Sequence, residues 1–158
     1  MTEKQAGLSA LGVAYSRAYH AKHESPKIFD DHLAPSLFTP EEFEQTGRMW
    51  ASLLPYIDPE LAASNPDPSV ALGRVAQFQG AITLGRSRYT EDRLEEAIPQ
   101  GIRQYVILGA GMDTFAYRRS DLDGRLQVFE LDHPATQALK RERVSRFGGY
   151  QGWCSTAM

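Results

Sequence analysis

The 158-residue sequence contains a single cysteine, Cys154, so no disulfide can staple it internally and no second thiol is at hand to build a metal cluster. We read that cysteine as incidental. Long hydrophobic runs are also missing. The most continuous apolar stretch, Tyr105 to Leu108 with Gly109 and Ala110 after it, falls far short of the ~20 residues of a membrane-spanning helix. Met1 to Gly7 carry Glu3 and Lys4 and lead into no compact apolar segment with a cleavage site, so no signal peptide is expected and the expected compartment is the cytoplasm. Positive charge is not in excess: 17 Lys+Arg stand against 20 Asp+Glu, a formal net charge of −3. That balance excludes a strongly basic nucleic-acid binder. No internal repeat and no low-complexity segment interrupts the chain.

What is there is the composition of a soluble globular chain, 42% hydrophobic and 23% charged. One domain is expected at this length, burying roughly 70% of its unfolded surface. Residues 1–99 read as helical. Leu8, Leu11, Tyr15 and Ala18 or Tyr19 recur at helical spacing as far as about Lys22, and Ser25-Pro26 ends that helix. Lys27 to Pro35 fit a short helical turn or loop. Thr39, Pro40 and Glu42 then form the signature of a capping box with proline at the first helical position, and Phe43, Gly47, Trp50 and Leu54 mark the inner face. Pro55, Pro59, Pro66 and Pro68 predict a loop with at most one short helix. Helical spacing resumes from Val70, with Val75, Phe78 and Ile82 on one face. Gly73, Gly80 and Gly85 each cost about 1 kcal/mol against Ala, which implies close packing or a break. A further helix through Leu94, Ala97 and Ile98 is closed by Pro99 and Gly101.

Residues 100–146 differ in kind. Gln104 to Leu108 is short, β-branched and aromatic, and runs directly into Gly109-Ala110-Gly111, the pattern of a buried strand meeting a glycine turn. Met112 to Arg119 suits a short helix, Leu126 to Leu131 a second strand, and Pro134 opens a helix to about Arg146. This is one βαβ unit followed by a helix that should lead to another strand. Phe147 to Met158 show no strand pattern, so residues 147–158 are expected to be an irregular tail that leaves the second strand with an open edge.

Two motifs carry chemistry. In YVILGAGMDTFAYR, Tyr105 to Arg118, glycines after a strand let the backbone approach a ligand, and the following helix start offers free N–H groups. This alone indicates a nucleotide-like ligand. A dinucleotide fingerprint wants a third glycine where this chain has Thr114, which weighs against NAD. In FELDHP, Phe129 to Pro134, an acidic group about 20 residues after the turn can accept both hydroxyls of a ribose. Glu130 and Asp132 both qualify by position. Asp132 also stands where it could help cap the helix opened by Pro134. His20 and His23, three apart, have no evident third ligand, so no metal is expected. Lys140, Arg141, Arg143 and Arg146 read as a solvated helix face.

Together, GAGMDTFAYRR and FELDHP, with RAYHAKHESPKIFDDHLA near the start and LGRSRYTEDRL between, resemble the bacterial S-adenosylmethionine-dependent methyltransferases related to leucine carboxyl methyltransferases. The resemblance covers roughly Leu11 to Arg143. It implies an α/β class: a class I methyltransferase (Rossmann-like) sheet, incomplete here, preceded by an N-terminal helical segment that covers the active site. The cofactor it implies is S-adenosyl-L-methionine. Carried over by position, the glycine turn falls on Gly109 and Gly111 and the ribose carboxylate on Asp132 rather than Glu130. The arginine for the cofactor's methionine carboxylate corresponds to Arg86, with Arg88 as neighbour, a guanidinium fork being suited to a carboxylate. A first-helix lysine of the eukaryotic relatives finds its nearest counterparts in Lys22 or His20. Family members continue through further strands beyond the point where this sequence stops, which suggests a truncated frame, a frameshift or a fragment.

The implied reaction is methylation of an oxygen of a small molecule or of a carboxyl group. A sulfonium is already an activated donor, so alignment does most of the work. A carboxylate acceptor needs no base, and no residue is nominated by spacing as one. The rivals are an NAD-type oxidoreductase on the same βαβ unit, and an inactive remnant that binds cofactor weakly or not at all. Neither nucleic acid nor membrane is an expected partner; self-association through an open sheet edge is.

Overall fold

In the computed structural model, which describes residues 7–147 and 154–157, a helical segment packs against a small parallel sheet. Helix α1 spans Leu8–His23 and buries Ala14, Tyr15 and Ala18. Tyr15 is the hub of this first core, with ring centroids 4.8 Å from Phe43, 4.9 Å from Trp50 and 5.8 Å from Phe38, within the range where aromatic pairs add to simple burial. After a short 3-10 turn, Ala34–Leu37, helix α2 spans Pro40–Ala51. Its capping box is complete: the Glu42 N–H donates to Thr39 Oγ1 at 3.2 Å and the Thr39 N–H to the Glu42 carboxylate at 2.9 Å.

The proline-rich stretch holds two short helices instead of at most one, α3 at Leu54–Ile57 and α4 at Pro59–Ala63. Pro55 and Pro59 occupy opening positions, where a missing N–H costs nothing, and Asp58 caps α4 by accepting from the Leu61 N–H at 3.1 Å. Leu54 therefore belongs to α3 and not to the face of α2. The two helices read after Val70 are one 30-residue helix, α5, Pro68–Ala97. Its inner stripe is Ala71, Val75, Ala76, Gly80 and Leu84, while Phe78 and Ile82, expected inside with Val75, are 52% and 66% exposed. The stripe is narrow because α5 packs along α1 and α2, and a Cβ at Gly80 would come within 3.8 Å of Ser16 Oγ on α1.

Strands β1 (Gln104–Leu108), β2 (Gln127–Leu131) and β3 (Cys154–Ala157) lie in that order, all parallel. Gln104 stands opposite Gln127, and Val128 opposite Cys154. Residues 154–157 are thus a strand on the β2 edge that was expected to be open, while the rest of the expected irregular tail after Phe147 lies outside the described residues. Cys-Ser-Thr-Ala shows no hydrophobic alternation, and its pairing comes from backbone groups meeting the row of N–H and C=O that β2 presents. Between β1 and β2 sits one helical turn, α6, Phe115–Arg118, shorter than expected. Phe115, Leu122, Leu126 and Val128 form a second core with Leu94 and Ile98 from the end of α5 and the turn after it.

Helix α7 spans Pro134–Val144, followed by a 3-10 turn at Ser145–Phe147. Lys140 and Arg143, expected on a solvated face, are buried. Lys140 Nζ pairs with Glu130 at 2.5 Å, and Arg143 forks onto Glu42 at 2.8 and 2.9 Å while donating to the Leu37 carbonyl. Helix α7 is wedged between sheet and helical segment, so its charges form the seam between them. Arg141 and Arg146 remain exposed.

Candidate cofactor site

The end of β1 is closed onto β2 by the N–H groups of Gly109 and Ala110, which donate to the Leu131 carbonyl at 2.8 and 3.2 Å. Gly109 and Gly111 have φ of +65° and +53°, in the left-handed region that glycine enters without a Cβ penalty. At Gly109 a Cβ would meet nothing within 4 Å, so the space over the turn is open. At Gly111 it would lie 3.2 Å from Ala10 Cβ of α1, so a side chain there would push the helix away.

A cavity of about 510 Å³ opens at this turn. Of the residues singled out from sequence, Gly109, Gly111, Asp132 and Arg86 line it together. Asp132 follows β2 directly. Its Oδ2 accepts from the Gly111 N–H and its Oδ1 from the His133 N–H, both at 2.6 Å. The cap of α7 is His133, whose Nδ1 accepts from the Ala135 N–H at 3.2 Å, so capping is not what holds Asp132. Glu130 is elsewhere: buried and paired with Lys140, it lines no part of the cavity. Arg88 is likewise outside, paired with Asp92 at 2.8 Å on the exposed side of α5.

Neither first-helix candidate reaches the cavity. Lys22 Nζ lies 4.5 Å over the Phe43 ring, and the buried His20 accepts from the Ile28 N–H at 2.9 Å while pairing with Glu24. The cation that α1 does supply is Arg17, one turn earlier and missed in the sequence. Helical spacing held the clue, because Ala10, Val13 and Arg17 share one face and all line the cavity. Arg17 is buried, its Nη1 2.9 Å from Asp31 Oδ2 and its Nη2 donating to the Met112 carbonyl at 2.7 Å. Thr114, which stands where a third glycine would be, is fully buried and donates its hydroxyl to Asp31 Oδ1 at 2.7 Å. Glu91 on the cavity wall pairs with Arg118 at 2.5 Å; burial is the larger influence and pushes its carboxyl above the ordinary value, against the arginine. Burial also pushes the Tyr105 phenol up to about 12. Among the described residues, no group of three His, Cys, Asp or Glu side chains is placed to hold a metal, and no helix is long and apolar enough to cross a membrane.

The leucine carboxyl methyltransferase family model matches residues 10–151. A Bacillus subtilis strain 168 protein provisionally named the S-adenosyl-L-methionine-dependent methyltransferase YktD is 40% identical over 146 residues, 91% of this chain and 48% of that protein. A similarly named Streptomyces coelicolor protein, SCO7813, is 36% identical over 86% of this chain and 44% of its own length. Rv0281 of Mycobacterium tuberculosis H37Rv, named in the same way, is 34% identical over 90% of this chain and 42% of its own. The chain spans about half the length of the curated relatives it matches.

Proposed function

The chain belongs to the leucine carboxyl methyltransferase family, and from that premise we propose that it binds S-adenosyl-L-methionine in the cavity at the glycine turn and serves methylation of an oxygen of a small molecule or of a carboxyl group, in the cytoplasm. The observation that carries this reading is Asp132, held by two backbone N–H groups at the mouth of an open turn. A carboxylate has about four lone-pair sites, so two remain to accept the hydroxyls of a ribose. Gly109 leaves room for the ligand beside them. Arg86 lines the same cavity and enters no ion pair among the described residues, which leaves its guanidinium fork for the cofactor's carboxylate.

When bound, S-adenosyl-L-methionine supplies an activated methyl group. The chain's own residues then have two tasks, to hold the donor and to exclude water. Asp132 and Arg86 hold its polar ends, and α1 closes over the turn through Ala10, Val13 and Arg17. A dinucleotide reading finds less support, since Thr114 fills the place of the third glycine and is committed to Asp31.

Calorimetric titration with S-adenosylhomocysteine and, separately, NAD tests the cofactor, and transfer from labelled S-adenosyl-L-methionine to carboxylate and hydroxyl acceptors tests the reaction. Binding of the homocysteine compound alone is expected. Binding of NAD alone would overturn the reading, and cofactor binding without transfer to any acceptor would assign the chain as a binding remnant.

A further inference from the structure

The glycine turn is gripped from two sides, and one grip belongs to the helical segment. On the sheet side Asp132 holds the Gly111 N–H. On the other side Arg17 holds the Met112 carbonyl and Asp31 holds the Thr114 hydroxyl, and these two side chains are 2.9 Å from each other. We propose that Arg17 and Asp31 are positioning residues for the cofactor turn, so that the helical segment sets the affinity of the cavity as well as walling it.

Asp31 is fully buried, a position a carboxylate tolerates only when paired and hydrogen-bonded. Its partners meet that condition: Oδ1 accepts from Thr114 and from the Ala34 N–H at 3.1 Å, with Arg118 Nε at 3.5 Å, and Oδ2 faces Arg17. Arg17 therefore cannot leave its place on the cavity wall without taking from the buried Asp31 its nearest cation, leaving Arg118 at 3.5 Å. Between the two anchored residues lies Asp113, whose Oδ1 accepts from the Phe115 N–H at 2.7 Å and which also lines the cavity. The Met112 side chain is buried in the core of the helical segment, so the turn cannot slide along the sheet without opening that core. Thr114 gives the arrangement its logic: the residue that spoils a dinucleotide fingerprint supplies the hydroxyl that the helical segment holds.

The inference rests on the cofactor reading above, and its test separates the two. The wild-type chain, Thr114→Val, Thr114→Ser and Asp31→Asn are titrated with S-adenosylhomocysteine, and amide hydrogen exchange is followed at Gly109 to Thr114 without ligand. Thr114→Val and Asp31→Asn are expected to bind about tenfold or more weakly, the scale of a lost bond to a charged group, and to exchange faster at Gly111 to Asp113. Thr114→Ser keeps the hydroxyl and is expected to match wild type in both. Unchanged exchange in Thr114→Val and Asp31→Asn overturns the proposal whatever the affinities are. Failure of Thr114→Ser to rescue overturns it too, by assigning the position to packing. Wild type that binds no S-adenosylhomocysteine overturns the cofactor reading and the affinity claim with it, while exchange still decides whether the turn is anchored as described.

Discussion

Glu130 and Asp132 are two residues apart and end in unlike surroundings, so they should fail in unlike ways. Asp132→Ala removes a carboxylate that lines the cavity, and under the proposed function each charge-assisted bond it would make to a ribose is worth about 1.5–3 kcal/mol. Weaker binding of S-adenosylhomocysteine is expected, with a loss of stability of about 1–3 kcal/mol from the part-buried Gly111 N–H that it leaves without an acceptor. Glu130→Ala leaves Lys140 buried without its 2.5 Å partner and should cost stability, about 3–5 kcal/mol in a denaturant titration, while the folded fraction binds as before. Equal losses of affinity in both would remove Asp132 from the site. At the neighbouring cations, Arg86→Lys should weaken binding because an ammonium cannot reproduce the fork, and Arg88→Lys should change little because that side chain is engaged with Asp92. An analogue lacking the amino acid portion should erase the difference at Arg86; a difference that persists would mean the residue acts through folding.

At the scale of an element, α2 is joined to α7 through Glu42. The hydrogen bond from Arg143 holds its carboxyl below the ordinary 4.5, assisted by the bond from the Thr39 N–H and opposed by burial. A folded-state pKa below the unfolded one contributes stability that is present above 4.5 and lost as pH falls through the depressed folded value. Glu42 is 39% exposed, so solvent screening limits the pair to about 1 kcal/mol. Glu42→Gln can still accept from Thr39 and keeps the capping box, but not the charge facing Arg143. Its melting temperature should be lower than wild type at pH 7, with the gap closing on acidification. A gap that stays constant into the acid range would assign the loss to packing.

For the whole molecule, the sheet edges among the described residues lie at β1 and β3 and not at β2. Strand β3 covers the far side of β2, whereas no strand among the described residues pairs with the outer side of β1 or of β3; on β1, Val106 and Leu108, which share one face of the strand, are 51% and 76% exposed. An unpaired edge with apolar side chains invites association with other chains, and three strands stand at the lower limit for an independently stable sheet. Val106→Lys, outside the cavity, is expected to shift the sedimentation profile toward smaller species without altering the circular dichroism spectrum. The same distribution of species in both proteins would show that β1 is not the associating edge.

The sequence by itself determined the features whose physics is short in range. The capping box of α2 closes over four residues, the strand at Gln104–Leu108 announces itself by β-branched and aromatic content, and the glycine turn needs only the two positive φ angles at Gly109 and Gly111. An acidic group near those glycines was legible for a similar reason, but position left Glu130 and Asp132 both open, and the choice of Asp132, whose carboxylate accepts from the Gly111 N–H, came from the family resemblance. The tertiary structure decided whatever depends on a partner far along the chain. Whether a basic residue of α7 meets water or Glu42 depends on a contact 101 residues away, and no periodicity within α7 encodes it. Arg17 joins the site through Met112, 95 residues on, and Thr114 finds Asp31 across 83 residues. Strand β3 forms because β2 presents unpaired backbone groups, a demand carried by hydrogen-bond geometry and absent from hydropathy. Local backbone preferences set which elements form; desolvation and charge pairing across the fold decided which of their side chains face the cavity.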